Sequence, residues 1–93
     1  MSDKIMLVVN FIGTVQGVFF RQHVKDFADH YNIKGYVKNL PNGSVEVVAV
    51  AEKSKLEKFL DEIEKKPGHG SIDKIEKKYL ETTQEFNNFE ILY

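Results

Sequence analysis

Twelve of the 13 basic residues in this 93-residue chain are lysine, and the thirteenth is Arg21. A guanidinium is a planar, permanently charged fork that matches two oxygens of one phosphate or carboxylate, which an ammonium does not. Arg21 closes a segment that reads Gly13-Thr14-Val15-Gln16-Gly17-Val18-Phe19-Phe20. A turn from a strand into a helix can aim several main-chain N–H groups at one point. The helix N-terminus adds about half a unit of positive charge. Together they form an anion site. At Gly17 the missing side chain allows a close approach to an oxyanion or a positive φ. A plainer reading stands beside this one: any strand-to-helix turn calls for glycine, and Arg21 is then a solvated side chain in the first helical turn.

The flanking sequence supplies the strand and the helix. Over residues 4–12, Ile5, Leu7, Val9 and Phe11 make one apolar face, and period two predicts a strand. Met6, Val8, Asn10 and Ile12 make the other face mostly apolar too, so this strand is expected to be central. From Phe20 the period changes. Phe20, Val24, Phe27, Ala28 and Tyr31 fall on one face of a helix that ends near Tyr31-Asn32, with Gln22, His23, Lys25, Asp26 and Asp29 toward water. Residues 33–40 read as a second strand in which Ile33, Gly35, Val37 and Asn39 share a face. Pro41-Asn42-Gly43 signals a hairpin into a third strand over Ser44–Ala51. Ser54-x-x-Glu57 has the form of a capping box, and Leu56, Phe59, Leu60 and Ile63 give a second amphipathic helix stopped by Pro67-Gly68-His69-Gly70. A weaker strand follows over 71–80, where Ile72, Ile75, Tyr79 and Leu80 break simple alternation, and Phe89–Tyr93 reads as a short last strand.

The order β-α-β-β-α-β plus a terminal strand predicts an α/β (α+β) sandwich of ferredoxin-like type. Two helices pack on one face of an antiparallel or mixed sheet, in one domain over residues 1–93. This fold hosts enzymes, RNA binders, metal carriers and regulatory modules, so it does not choose among them. Composition narrows the choice. Charge is 13 basic against 14 acidic residues, a net of −1, which argues against a protein whose main task is to grip nucleic acid or an anionic membrane. Zero cysteines exclude disulfides, thiolate metal sites and cysteine nucleophiles, and with them a heavy-metal carrier of this fold. His23, His30 and His69 lack metal-ligand spacing and read as surface or capping residues. No cofactor and no metal are expected. The apolar run Ile5–Val9 is too short for a secretory or membrane segment, and a cytoplasmic monomer is the expectation.

Gly13-x-Val15-Gln16-Gly17-Val18-x-Phe20-Arg21 resembles the signature loop of the acylphosphatase family. Gly35-Tyr36-Val37-Lys38-Asn39, followed by Gly43-x-Val45-Glu46, is similar to that family's second signature, and the two are correctly spaced. The resemblance covers nearly the whole chain, to Phe89-x-Ile91-x-Tyr93. It implies hydrolysis of the carboxyl–phosphate anhydride of a small acyl phosphate, with inorganic phosphate as product and competitive inhibitor. Carried over by position, Arg21 binds the phosphoryl group and Asn39 orients the attacking water. The main-chain amides of Gln16, Gly17, Val18, Phe19 and Phe20 cradle the phosphate oxygens. Two departures stand out: Leu92 where the family often carries arginine, and Tyr36 where tryptophan is frequent.

Bland roles remain for several of these residues. Asn39 is equally a turn residue ahead of Pro41. Phe20 belongs to the helix stripe, and Phe19 is left open, with substrate contact as one role. Two other functions fit the element order. One is an RNA-binding module, suggested by Lys34-Gly35-Tyr36-Val37 but without the aromatic continuation such motifs need. The other is a regulatory domain that holds an anion in the same loop without reacting.

Overall fold

The computed structural model describes residues 4–17, 19–68 and 70–93; Val18 and His69 lie outside the described residues. Seven elements follow one another: β1 (Lys4–Thr14), α1 (Phe20–His30), β2 (Lys34–Asn39), β3 (Val45–Glu52), α2 (Lys53–Lys65), β4 (Ser71–Glu81) and β5 (Phe89–Leu92). The five strands form one sheet in the order β4-β1-β3-β2-β5. Only the β2–β5 pairing is parallel. This is the mixed sheet and βαββαβ order expected from the periodicities.

One face of the sheet carries the core. Leu7, Val9 and Phe11 of β1, Val37 of β2 and Val45, Val47, Ala49 and Ala51 of β3 meet Phe20, Val24 and Ala28 of α1 and Leu56, Phe59, Leu60 and Ile63 of α2. Each large apolar side chain buried this way contributes about 1.5–3 kcal/mol relative to exposure. Two edge-on ring pairs tie the layers: Phe11 with Phe20 at 5.4 Å and Phe59 with Phe89 at 6.2 Å. The first fixes the start of α1 directly over β1. The end of α1 is fixed by its main chain: Asn32 takes a positive φ of 56°, Asn32 N–H donates to the Asp29 carbonyl, and buried Ile33 N–H donates to the Ala28 carbonyl at 2.8 Å. These are the two bonds of a Schellman stop.

Three local expectations change. Gly13 stays inside β1 rather than opening the loop, at a bulge where Ile12 pairs Lys74 but Gly13 pairs Ile72. Asp73 is the unpaired residue of that bulge. It brings Ile72 and Ile75, three apart in sequence, to the same core face, which explains the broken alternation. The capping box does not form. β3 runs straight into α2, so the helix starts at Lys53 with Glu52 as its N-cap and no side-chain cap bond, and Ser54 is an exposed residue inside the first turn. His23 is half-buried rather than fully solvated. Its ring Nε2 bonds the Lys66 carbonyl and its edge meets Phe27 at 4.7 Å, which joins α1 to the segment after α2.

The position of Asn39 depends on the close pairing of β2 and β3, and Gly35 permits it. Gly35 has φ 147°, and a Cβ there would overlap the main-chain carbonyl of Val48, which cannot swing away as a side chain would. Gly35→Ala is therefore expected to cost about 3 kcal/mol or more, through strain and forced strand separation. The shift of the urea midpoint measures it. A loss under about 1 kcal/mol would show that the two strands part freely at this point.

Candidate active site

The chain leaves β1 at Thr14 and enters α1 at Phe20. Buried Val15 and buried Phe20 pin the two ends of the loop between them. Inside it Gly17 has φ 73°, with open space where a Cβ would stand, as the two-glycine turn suggested. Phe19 also lies in the left-handed region, at φ 61° and ψ 19°, and its ring is 83% exposed.

Phe19 occupies the N-cap of α1, where Ser, Thr, Asp or Asn is usual because an oxygen there accepts a first-turn N–H. A phenyl ring accepts none, and α1 has no acidic residue in its first turn. The first main-chain bond runs from His23 N–H to the Phe19 carbonyl at 3.0 Å. Ahead of it, Gln16, Gly17 and Phe19 donate to no carbonyl among the described residues. The positive end of the helix thus stays unneutralised by side chains among the described residues.

Arg21 is half-buried beside this loop. Its Nη1 donates to the Leu92 carbonyl at 3.0 Å, and its guanidinium lies 4.6 Å from the centre of the Tyr93 ring. Both contacts come from β5 and the residue after it, and they hold the fork while leaving its other N–H groups without an acceptor among the described residues. A cleft of about 500 Å³ opens here, lined by Val15, Gly17, Phe19, Phe20, Arg21, Gln22, Ile91 and Tyr93. Arg21 is the one charged side chain among these lining residues. The departure at Leu92 is harmless to this contact, because the main-chain carbonyl and not the side chain meets Arg21.

Asn39 ends β2 on the face of Val37, toward the helices, as strand parity required. It does not line the Arg21 cleft. Its Oδ1 is buried with no hydrogen-bond partner among the described residues. An unpaired buried oxygen costs about 1–3 kcal/mol, so its retention calls for an explanation such as a functional role. Asn10 Oδ1 shares this state but stands on the opposite face, in register with Glu46 and Glu76.

Read from sequence alone, Gln16 contributes only its main-chain amide. Its side chain does more: Nε2 donates to the carbonyls of Leu40 and Ser44, at 2.9 Å each. Those partners are 24 and 28 residues away, and no local pattern signals them. The segment that receives them is tight. Leu40 N–H donates to the Ser44 carbonyl at 2.9 Å, Gly43 N–H to the Leu40 carbonyl at 3.1 Å, and Asn42 Oδ1 accepts from the Ser44 hydroxyl at 2.6 Å. Gly17, Phe19, Phe20 and Arg21 therefore meet at one cleft, while Asn39 is tied to their loop through Gln16 and the hairpin.

The tyrosines with shifted hydroxyls stand elsewhere. Burial, and then the Glu46 carboxylate, hold Tyr36 above the ordinary phenol value; burial and Glu57 do the same for Tyr79. Neither lines the Arg21 cleft. Among the described residues no group of three or more His, Asp or Glu side chains is placed to hold a metal ion.

A family model described as Acylphosphatase matches residues 7–91. The chain is 38% identical over 90 residues to an acylphosphatase of Geotalea uraniireducens, covering 97% of this chain and 99% of that one. It is 43% identical over 89 residues to one from Listeria monocytogenes, covering 92% and 94%. A crystal structure of acylphosphatase from Bacillus subtilis superposes with a TM-score of 0.91 at 27% identity, covering 96% of this chain and 99% of that one.

The loop's backbone gives a separable prediction. A Cβ at Gly17 meets nothing, so Gly17→Ala is charged only for its left-handed φ, about 1–2 kcal/mol. Gly17→Asn, which tolerates that region better, should lose less. Equal urea midpoints for wild type and Gly17→Ala would mean that the loop relaxes out of this conformation.

Proposed function

For a chain that belongs to the acylphosphatase family and is a hydrolase acting on acyl phosphates, we propose a mechanism in which the β1–α1 loop and Arg21 bind the phosphoryl group. Asn39 aims the water in this mechanism. The observation that carries the reading is the uncapped start of α1 sharing one cleft with the single arginine. Amides of Gln16, Gly17, Val18, Phe19 and Phe20 face the phosphate oxygens, and the guanidinium takes two of them.

The leaving group is a carboxylate, whose conjugate acid has a pKa of about 4–5, so it departs without a general acid. Phosphoryl transfer is then mainly a matter of position and charge stabilisation, which amides and one guanidinium supply. A carboxamide takes up no proton at neutral pH, so Asn39 acts by geometry. Its unpaired Oδ1 accepts from water and fixes the line of attack. The water's proton passes to a phosphate oxygen of the substrate. The products are a carboxylate and inorganic phosphate, and the latter fits the same cradle and competes with substrate. The reading takes residues 1–93 as one domain that works as a cytoplasmic monomer.

The open sheet face supports the hydrolase over an RNA binder. Tyr36 is packed edge-on against Phe86, 6.1 Å away, and Lys38 lies 3.8 Å from Glu46, so the ring and the cation each already have a partner on this face.

Benzoyl phosphate hydrolysis with a chelator present tests the assignments. Arg21→Gln is expected to lower kcat/KM on the order of 10³-fold, and Asn39→Ala to remove nearly all turnover, with circular dichroism unchanged. Inorganic phosphate should inhibit wild type competitively. Full activity in Arg21→Gln would end the mechanism. A pH profile that demands one deprotonated histidine would move the proton from substrate to protein.

A further inference from the structure

We infer that the Gln16 carboxamide is a positioning group for Asn39: its NH2 locks the hairpin that carries Asn39 to the anion loop, and hydrolysis depends on that lock. This rests on the acyl phosphate mechanism proposed above.

The two hydrogens of a side-chain amide are its whole donor capacity. In Gln16 both go to the mouth of one hairpin, at the Leu40 and Ser44 carbonyls. Each of these oxygens already accepts one main-chain N–H, from Gly43 and Leu40 respectively. Gln16 therefore takes the second lone pair of both. Leu40 directly follows Asn39, so the lock acts one residue from the water-aiming group.

Two further observations give the lock consequence. Asn39 Oδ1 has no partner of its own among the described residues, so Asn39 is aimed by its main chain. The loop amides of Gln16, Gly17 and Phe19 likewise bond no carbonyl among the described residues. The two functional pieces, amide loop and β2 end, thus share one direct polar tie among the described residues, and it is the Gln16 side chain. Displacing an attacking group by about 1 Å costs on the order of 10²-fold in rate.

Gln16→Met keeps the length and most of the volume and removes both donors. With benzoyl phosphate, kcat is expected to fall about 10- to 100-fold. The inhibition constant of inorganic phosphate should move by less than about 3-fold, because the main-chain amides and Arg21 remain. In an Asn39→Ala background, Gln16→Met should lower the residual rate by less than about 3-fold, since the group it positions is gone. Gln16→Ala should show the same split should the Met variant fold poorly. A kcat for both variants within about 3-fold of wild type overturns the inference. So does a full independent loss in the Asn39→Ala background, and so does an equal loss of phosphate binding, which would make the Gln16 side chain part of the cradle. Undiminished activity in Asn39→Ala alone would instead remove the water assignment itself, and this inference with it.

Discussion

The chain must travel from β1 to α1 in five residues, 15–19, while the amides of Gln16, Gly17 and Phe19 bond no carbonyl among the described residues. Nearly everything else serves that constraint. Left-handed backbone is needed at both Gly17 and Phe19, and for a bulky residue such as phenylalanine that conformation is unfavourable. It persists because Val15 and Phe20 are buried on either side and Phe20 packs edge-on against Phe11. At an ordinary N-cap a serine oxygen satisfies a first-turn N–H from within. A phenyl ring leaves that N–H for an outside oxygen, and the acid-free first turn leaves the helix dipole with it.

Both side chains assigned to the chemistry are placed through main-chain carbonyls of distant segments. Arg21 is held by the Leu92 carbonyl, and the hairpin after Asn39 is held by Gln16 at Leu40 and Ser44. A carbonyl is present whatever side chain accompanies it. The Arg21 contact therefore does not depend on which side chain stands at position 92. The sheet makes these distant segments neighbours: β5 lies parallel beside β2, and β2 lies antiparallel beside β3.

Most of the fold was legible because its signals are local. The stripe of Phe20, Val24 and Ala28 and that of Leu56, Phe59, Leu60 and Ile63 encode helices through spacing alone, and all seven are buried. Asn42-Gly43 marked the hairpin, and the lone arginine marked the cleft. What was not legible depends on tertiary neighbours. The bulge at Asp73 is set by the partner strand, so Ile72 and Ile75 read as a flaw in alternation. Ser54-x-x-Glu57 has the form of a cap, but a strand that runs on to Glu52 overrides it. The Gln16 tie and the grip of Leu92 on Arg21 span 24 to 71 residues and leave no periodic trace.

The grip of β5 on Arg21 also ties one end of the chain to the other. Of the seven elements, β5 is last in chain order, and it pairs with β2, which lies between it and β3. Without that strand in place, Arg21 lacks both the Leu92 carbonyl and the Tyr93 ring. The geometry of Arg21 therefore depends on the element farthest from it along the chain, a long-range closure rather than a local one.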